Sequence, residues 1–160
     1  VDAEREKDLT FSELDSAPFM PKCVVCDWRA DPNPPARPVI PWDRTIFYET
    51  HVRGFTKLHP AAPEDLRGTF DGLGEKAVVD YIKSLGVTSV ELLPVHAYLD
   101  DHHLAAKNLT NYWGYNTIGF FAPMQRYEGK AHLASFRDMV RKFHDAGLEV
   151  RAFDRRYGAT

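Results

Sequence analysis

Two glycines set the frame. Gly86 and Gly147 each stand just past a segment with helical apolar spacing and just before a run rich in β-branched residues. A glycine there is the natural C′ residue, because it takes a left-handed backbone without a Cβ penalty. The first segment, Leu73–Leu85, places Ala77, Val78, Tyr81, Ile82 and Leu85 on one face of a helix. The second, from about Ala131 to Ala146, does the same with Leu133, Phe136, Val140 and Phe143. The run TIFYETHV (Thr45–Val52) reads as a strand preceding the first helix. VTSVELLP (Val87–Pro94) follows that helix, and LEVRAF (Leu148–Phe153) follows the second. Strand, helix, strand, helix, strand is the signature of a parallel α/β sheet with crossover helices. The expected fold class is therefore α/β, either an open sheet or part of a (β/α)8 barrel.

Residues 1–44 have no such period. They hold most of the prolines, among them Pro18, Pro21, Pro32, Pro34, Pro35, Pro38 and Pro41. Proline fixes φ and removes a donor, so this stretch reads as an extended linker lying on a surface. Phe19, Met20, Trp28 and Trp42 are its apolar anchors. Cys23 and Cys26 form a lone CxxC. Zinc needs two more ligands and redox use needs a strand-to-helix setting, so the reading is two unpaired thiols.

Several function classes find no support. With a net charge of −3 and no basic stripe, nucleic acid is not expected as a partner. No apolar run approaches the roughly 20 residues of a membrane span. The opening VDAEREKDLT is charged and lacks an apolar h-region, which makes the cytoplasm the expected location. No glycine-rich phosphate loop follows a strand.

Ligands of parallel sheets bind at the carboxyl ends of the strands. The loop Pro94–Pro123, about 30 residues, leaves from that end and is far longer than an ordinary βα connection. It carries NYWGYN, in which Tyr112, Trp113 and Tyr115 crowd around Gly114 between Asn111 and Asn116. Aromatic faces stack on the C–H faces of sugars, and amides bond their hydroxyls. The same rings can also simply anchor a loop to the sheet. Glu49 and His51, at the carboxyl end of the first strand, are either site-lining or part of a structural hydrogen-bond network. YLDDHH (Tyr98–His103) holds two acids and two histidines, but adjacent residues rarely converge on one ion, so no metal site is expected.

Four segments occur in order: TIFYETHVRGFTKLHP, YIKSLGVTSVELLPV, LTNYWGYNTIGFFAP and FRDMVRKFHDAGLEV. Together they resemble the debranching members of glycoside hydrolase family 13, the glycogen-debranching and isoamylase-type branch of the α-amylase family. FMPKCVV and DW resemble the linker between that group's N-terminal carbohydrate-binding module and its barrel. The resemblance runs from about Phe19 to Val150.

The resemblance implies a (β/α)8 barrel that cleaves α-1,6 branch linkages of α-glucans, such as glycogen or limit dextrin, with retention. It makes residues 45–160 an incomplete barrel, with the first three strands and two helices. It maps the family's aromatic platform onto Tyr112–Tyr115, with Tyr115 stacking on the sugar next to the scissile bond. Trp113, Asn111 and Asn116 are supporting residues. It implies no cofactor. Other family 13 specificities, isoamylase or trehalose-releasing, share these segments, and a non-catalytic glucan-binding protein is a further alternative.

The pattern breaks after GLEV. The family continues with apolar residues, an aspartate and an Asn-His pair, whereas this chain reads RAFDRRYGAT. A strand buried on both faces should be apolar, and a buried unpaired guanidinium at Arg151 would cost several kcal/mol. Asp154 is loosely placed like the family's aspartate, and Arg155 and Arg156 follow it. The expectation is a frameshift, truncation or misassembly near Val150. The resemblance puts the two catalytic carboxylates on later strands, so no catalytic residue is assigned here. Three strands leave a sheet edge unpaired, and a marginal, aggregation-prone fragment without activity is expected.

Overall fold

In a computed structural model the described residues are 13–25, 36–130, 132 and 134–152. The chain divides into two units, residues 1–34 and 35–160. The described part of the first is one turn in otherwise irregular chain. Asp15 Oδ1 accepts from the Ala17 N–H at 2.9 Å, and the Phe19 and Met20 N–H groups donate to Ser16 O. Cys23 is a free, exposed thiol. Cys26, Trp28, Ala131, Leu133, Asp154, Arg155 and Arg156 lie outside the described residues.

The second unit is built on three parallel strands, β1 (Phe47–Thr50), β2 (Ser89–Leu92) and β5 (Glu149–Ala152), in the order β1-β2-β5. The registers pair Tyr48 with Val90 and Val90 with Val150. Two crossover helices follow the first two strands, α3 (Lys76–Ser84) and α5 (Ala134–Asp145). Their buried residues Val78, Ile82, Met139 and Phe143 close over Val90 and Leu92. Gly86 and Gly147 have φ of 79° and 82°, the left-handed turns that end the two helical segments.

Several expectations need correction. The first strand is shorter than Thr45–Val52, because His51 leaves it to cap a helix, α1 (Val52–Lys57). The segment Leu73–Leu85 is not one helix. A short α2 (Phe70–Leu73) stops at Gly74, and α3 starts two residues later. A Cβ at Gly74 would stand 3.1 Å from Met139 Cα, so α5 packs directly on the break. The inward face of α3 is Val78, Val79 and Ile82, and Tyr81 and Leu85 are about half-exposed. Tyr81 packs instead on the rings of Phe55 and His59.

The long connection is not a bare loop either. It contains β3 (His96–Tyr98), α4 (His102–Ala105) and β4 (Thr117–Pro123), with β3 and β4 paired antiparallel. The count of two helices thus holds only for the crossovers.

The sheet has one apolar face, against the helices, and one polar face. Phe47, Ser89 and Glu149 form one row across the polar face, and Glu49, Glu91 and Arg151 form the next. Glu149 is buried at the start of β5 and accepts from Ser89 Oγ at 2.9 Å and from the Ile40 N–H at 3.3 Å. Arg151 is not the unpaired buried cation expected from its neighbours. Its side chain is 39% exposed, reaches Glu149 Oε2 at 3.7 Å, and lies 4.9 Å from the Phe47 ring centroid and 5.8 Å from that of Trp42. Ring faces attract a guanidinium, which is why the strand tolerates it.

Candidate functional site

The site lies where β1 and β2 end. His51 follows β1 and takes up both of its ring nitrogens. Nδ1 accepts from the backbone N–H groups of Arg53 at 3.1 Å and Gly54 at 3.0 Å, which are orphan donors of the first turn of α1. An accepting Nδ1 fixes the proton on Nε2, which donates to Tyr112 O at 2.8 Å. The Tyr112 ring stacks flat on the imidazole, with centroids 4.1 Å apart and planes 5° apart. Trp113 stands edge-on to both rings, 6.3 Å from His51 and 5.2 Å from Tyr112. The chain can approach this closely because residue 54 is glycine; a Cβ there would stand 2.4 Å from Tyr112 Oη.

A second row of groups backs the first. Tyr127, in a 3-10 turn at Gln125–Tyr127, places its hydroxyl 3.2 Å from His51 Nε2 and 2.9 Å from the Tyr98 hydroxyl. Burial pushes the Tyr127 phenol far above its usual range, so it stays protonated. His51 is shifted the other way. Burial lowers its pKa, the Tyr112 carbonyl opposes the shift, and the Arg53 charge adds to it.

The loop between α4 and β4 is fixed by carboxylates. Arg126 donates to both oxygens of Asp100, at 2.9 and 2.8 Å, while its guanidinium sits 5.3 Å from the Tyr98 ring centroid. Arg126 is also the main reason that the Asp100 carboxyl is held below the usual range. Asp100 Oδ1 accepts from the Asn111 N–H at 2.7 Å. The Asn111 side chain donates to Asp101 at 3.2 Å and accepts from the Gly114 N–H, three residues on, at 2.9 Å. Gly114 has φ of 82°, and a Cβ on it would meet the Tyr98 ring at 2.7 Å. The Asn116 amide donates to the other oxygen of Asp101.

The expected site residues therefore divide. Tyr112, Trp113 and Tyr115 share one loop and are 43%, 56% and 37% exposed. His51 sits beneath the first two. Asn111 and Asn116 give their side-chain amides to Asp101 and hold the loop's shape. Glu49 stands apart, exposed on the polar face of the sheet beside Glu91. Sequence reasoning did not find Tyr98, Asp100, Arg126 or Tyr127 as members. The available signal was the ring and charge content of YLDD and QRY within one long connection.

Tyr98, Thr110, Tyr112, Arg53, Arg126 and Tyr127 are among the residues lining a cleft of about 270 Å³ beside the stack. A larger depression of about 430 Å³ lies among charged residues of the helix layer, including Asp71, Glu75 and Lys142. The smaller cleft is the better candidate, because it has aromatic walls and opens at the strand ends. Among the described residues, no three His, Cys, Asp or Glu side chains gather as a metal site. Nor is any described helix long and apolar enough to cross a membrane.

No family model matches the chain. Among curated proteins, it is 46% identical over 144 residues to a glycogen debranching enzyme of Yersinia enterocolitica, covering 85% of this chain and 21% of that protein. A glycogen debranching enzyme of Yersinia pestis matches with the same identity and coverage. The chain thus spans about a fifth of the length of the curated relatives it matches. Among solved structures, a pullulanase from Anoxybacillus sp. LM18-11 superposes with a TM-score of 0.64 at 27% identity, covering 81% of this chain and 20% of that one. A pullulanase from Paenibacillus barengoltzii, in complex with maltohexaose and alpha-cyclodextrin, superposes with a TM-score of 0.58 at 26% identity, over 73% of this chain and 21% of that one.

Proposed function

We propose, from the premise that this chain is a partial debranching-type member of glycoside hydrolase family 13, that it carries the aromatic wall of an α-glucan site. The substrate of the whole enzyme is a branched α-glucan such as glycogen or limit dextrin, and the bond cleaved is the α-1,6 linkage. On this reading β1, β2 and β5 are the first three strands of a (β/α)8 barrel. Residues 1–44 are a linker that follows an N-terminal carbohydrate-binding module.

One observation carries the reading: Tyr112, Trp113 and Tyr115 are presented together, partly exposed, at the carboxyl ends of parallel strands. The loop behind them is held by hydrogen bonds and an ion pair, so the rings are set before a sugar arrives. Pre-set contacts lose less on binding than contacts that must be ordered. Tyr115 stacks on the glucosyl ring beside the bond to be cleaved.

Retaining hydrolysis needs two carboxylates about 5 Å apart across the glycosidic oxygen. The two acids bonded into this loop are already committed, Asp100 to Arg126 and Asp101 to two asparagine amides. On this reading the chain supplies binding and orientation, and the cleaving carboxylates stand elsewhere in the whole enzyme.

The test is retention on immobilised glycogen and titration with maltohexaose, beside an assay of α-1,6 hydrolysis. Binding without hydrolysis is expected. Tyr115→Ala should weaken binding about 2- to 12-fold, the equivalent of ~0.5–1.5 kcal/mol of ring contact. Binding that is unchanged in both Tyr115→Ala and Trp113→Ala would remove the platform reading. Hydrolysis by the purified chain would refute the division of labour.

A further inference from the structure

We propose that His51 is the positioning residue of the aromatic loop, and that it works only as the neutral tautomer protonated on Nε2, so that proton uptake at Nδ1 releases the loop. The functional consequence rests on the α-glucan reading above; the structural one does not.

The geometry asks two incompatible things of a charged ring. Nδ1 receives two backbone N–H donors, from Arg53 and Gly54. Nε2 gives its proton to Tyr112 O. A neutral imidazole satisfies both, with one acceptor and one donor nitrogen. An imidazolium is a donor at both nitrogens. It keeps the bond to Tyr112 but sets an N–H against two others at the start of α1. Either the cap opens or the ring turns, and turning takes Nδ1 from the Arg53 and Gly54 N–H groups and Nε2 from Tyr112 O. One proton thus acts on a helix start and on a loop 61 residues away.

The Tyr112 carbonyl favours a positive charge on the ring, but burial outweighs it. On its own helix stands Arg53, whose charge opposes protonation. The loop contributes Tyr112, the 3-10 turn contributes Tyr127, and β3 contributes Tyr98 behind Tyr127. Arg126 lies over Tyr98 and is neutralised by Asp100. Among the described residues, no carboxylate is hydrogen-bonded or ion-paired to His51. Burial lowers the His51 pKa in agreement with this arrangement. The sign follows: a histidine whose folded pKa is depressed holds its full contribution above the unfolded value of 6.5, and loses it as pH falls through the folded pKa.

The experiment is nitrogen-15 NMR of the whole chain, following the histidine rings and the Trp113 indole through a pH titration. His51 should show a proton on Nε2 and none on Nδ1 at neutral pH. The Trp113 indole resonance should move with the midpoint of His51, below 6.5. His51→Asn keeps a good helix cap but is too short to reach Tyr112. It should hold the Trp113 resonance near its low-pH position and abolish its titration. Maltohexaose binding should weaken on acidification at the same midpoint in the wild type, and be weak at every pH in His51→Asn.

A proton on Nδ1 at neutral pH overturns the proposal, and this is read on the wild type without any variant. So does a Trp113 titration that persists in His51→Asn. Coupling of His51 to Trp113 without any maltohexaose binding upholds the positioning role and refutes the α-glucan reading alone.

Discussion

Gly114→Ala should cost far more than the chemical change suggests, and a second glycine supplies the comparison. Gly86 and Gly114 share a left-handed backbone, with φ of 79° and 82°. A Cβ at Gly86 meets nothing within 4 Å, whereas at Gly114 it would stand 2.7 and 2.8 Å from two carbons of the Tyr98 ring. That ring cannot swing away. It is 4% exposed, its hydroxyl is bonded to Tyr127, and Arg126 covers it. The left-handed conformation alone costs an L-residue about 1–2 kcal/mol. Forcing an extra methyl into packed surroundings adds about 1–3 kcal/mol. Gly86→Ala should therefore lose about 1–2 kcal/mol and Gly114→Ala about 2–5 kcal/mol. With a urea dependence of about 2 kcal/mol per molar, the midpoints fall by roughly 0.5–1 M and 1–2.5 M. The assay is urea unfolding followed by far-UV circular dichroism, run in sucrose so that a destabilised variant remains measurable. Equal midpoints for the two variants would refute the claim that Tyr98 is an immovable wall beneath the loop.

Asp100→Asn removes the charge from a bidentate pair while keeping one acceptor. Both partners are about a quarter to a third exposed, so the loss should be only about 1 kcal/mol, shrinking in about 1 M salt. Urea midpoints at low and high salt check both statements. Glu149 gives a pH dependence of its own. The Ser89 hydroxyl is the main cause holding its carboxyl below the ordinary glutamate value of 4.5. Its contribution is therefore complete above that value and is lost as pH falls through the depressed one. Glu149→Gln should flatten the acid limb of a plot of stability against pH, and an unchanged limb would count against the clamp on Ser89.

The parallel frame was legible because its signals are local. Phe47–Thr50 and Ser89–Leu92 are short β-branched or aromatic runs, and each crossover ends in a glycine whose φ proves positive. What escaped was decided at a distance. The break between α2 and α3 depends on Met139, more than sixty residues later, lying against Gly74. The hairpin of β3 and β4 has register shifts on both sides of Ala97 and a glycine opposite it, so no clean alternation advertises it. Arg151 reads as a buried, unpaired cation until Trp42 and Phe47 are seen beneath it. In the site, the aromatic triplet was visible as composition, but its supports were not. Histidine is not among the common helix caps, and Tyr127 meets His51 across 76 residues.

The contact between Gly54 and Tyr112 bears on how such a chain can change over time. The phenol occupies the space that any side chain at position 54 would need. A side chain gained at 54 would displace the Tyr112 hydroxyl, and with it the stack of that ring on His51. His51 is drawn in as well, since it caps through the Gly54 N–H and stacks on Tyr112. Substitutions at these three positions will not add. They constitute one coupled unit, and a swap at any one of them changes the cost of a swap at the others.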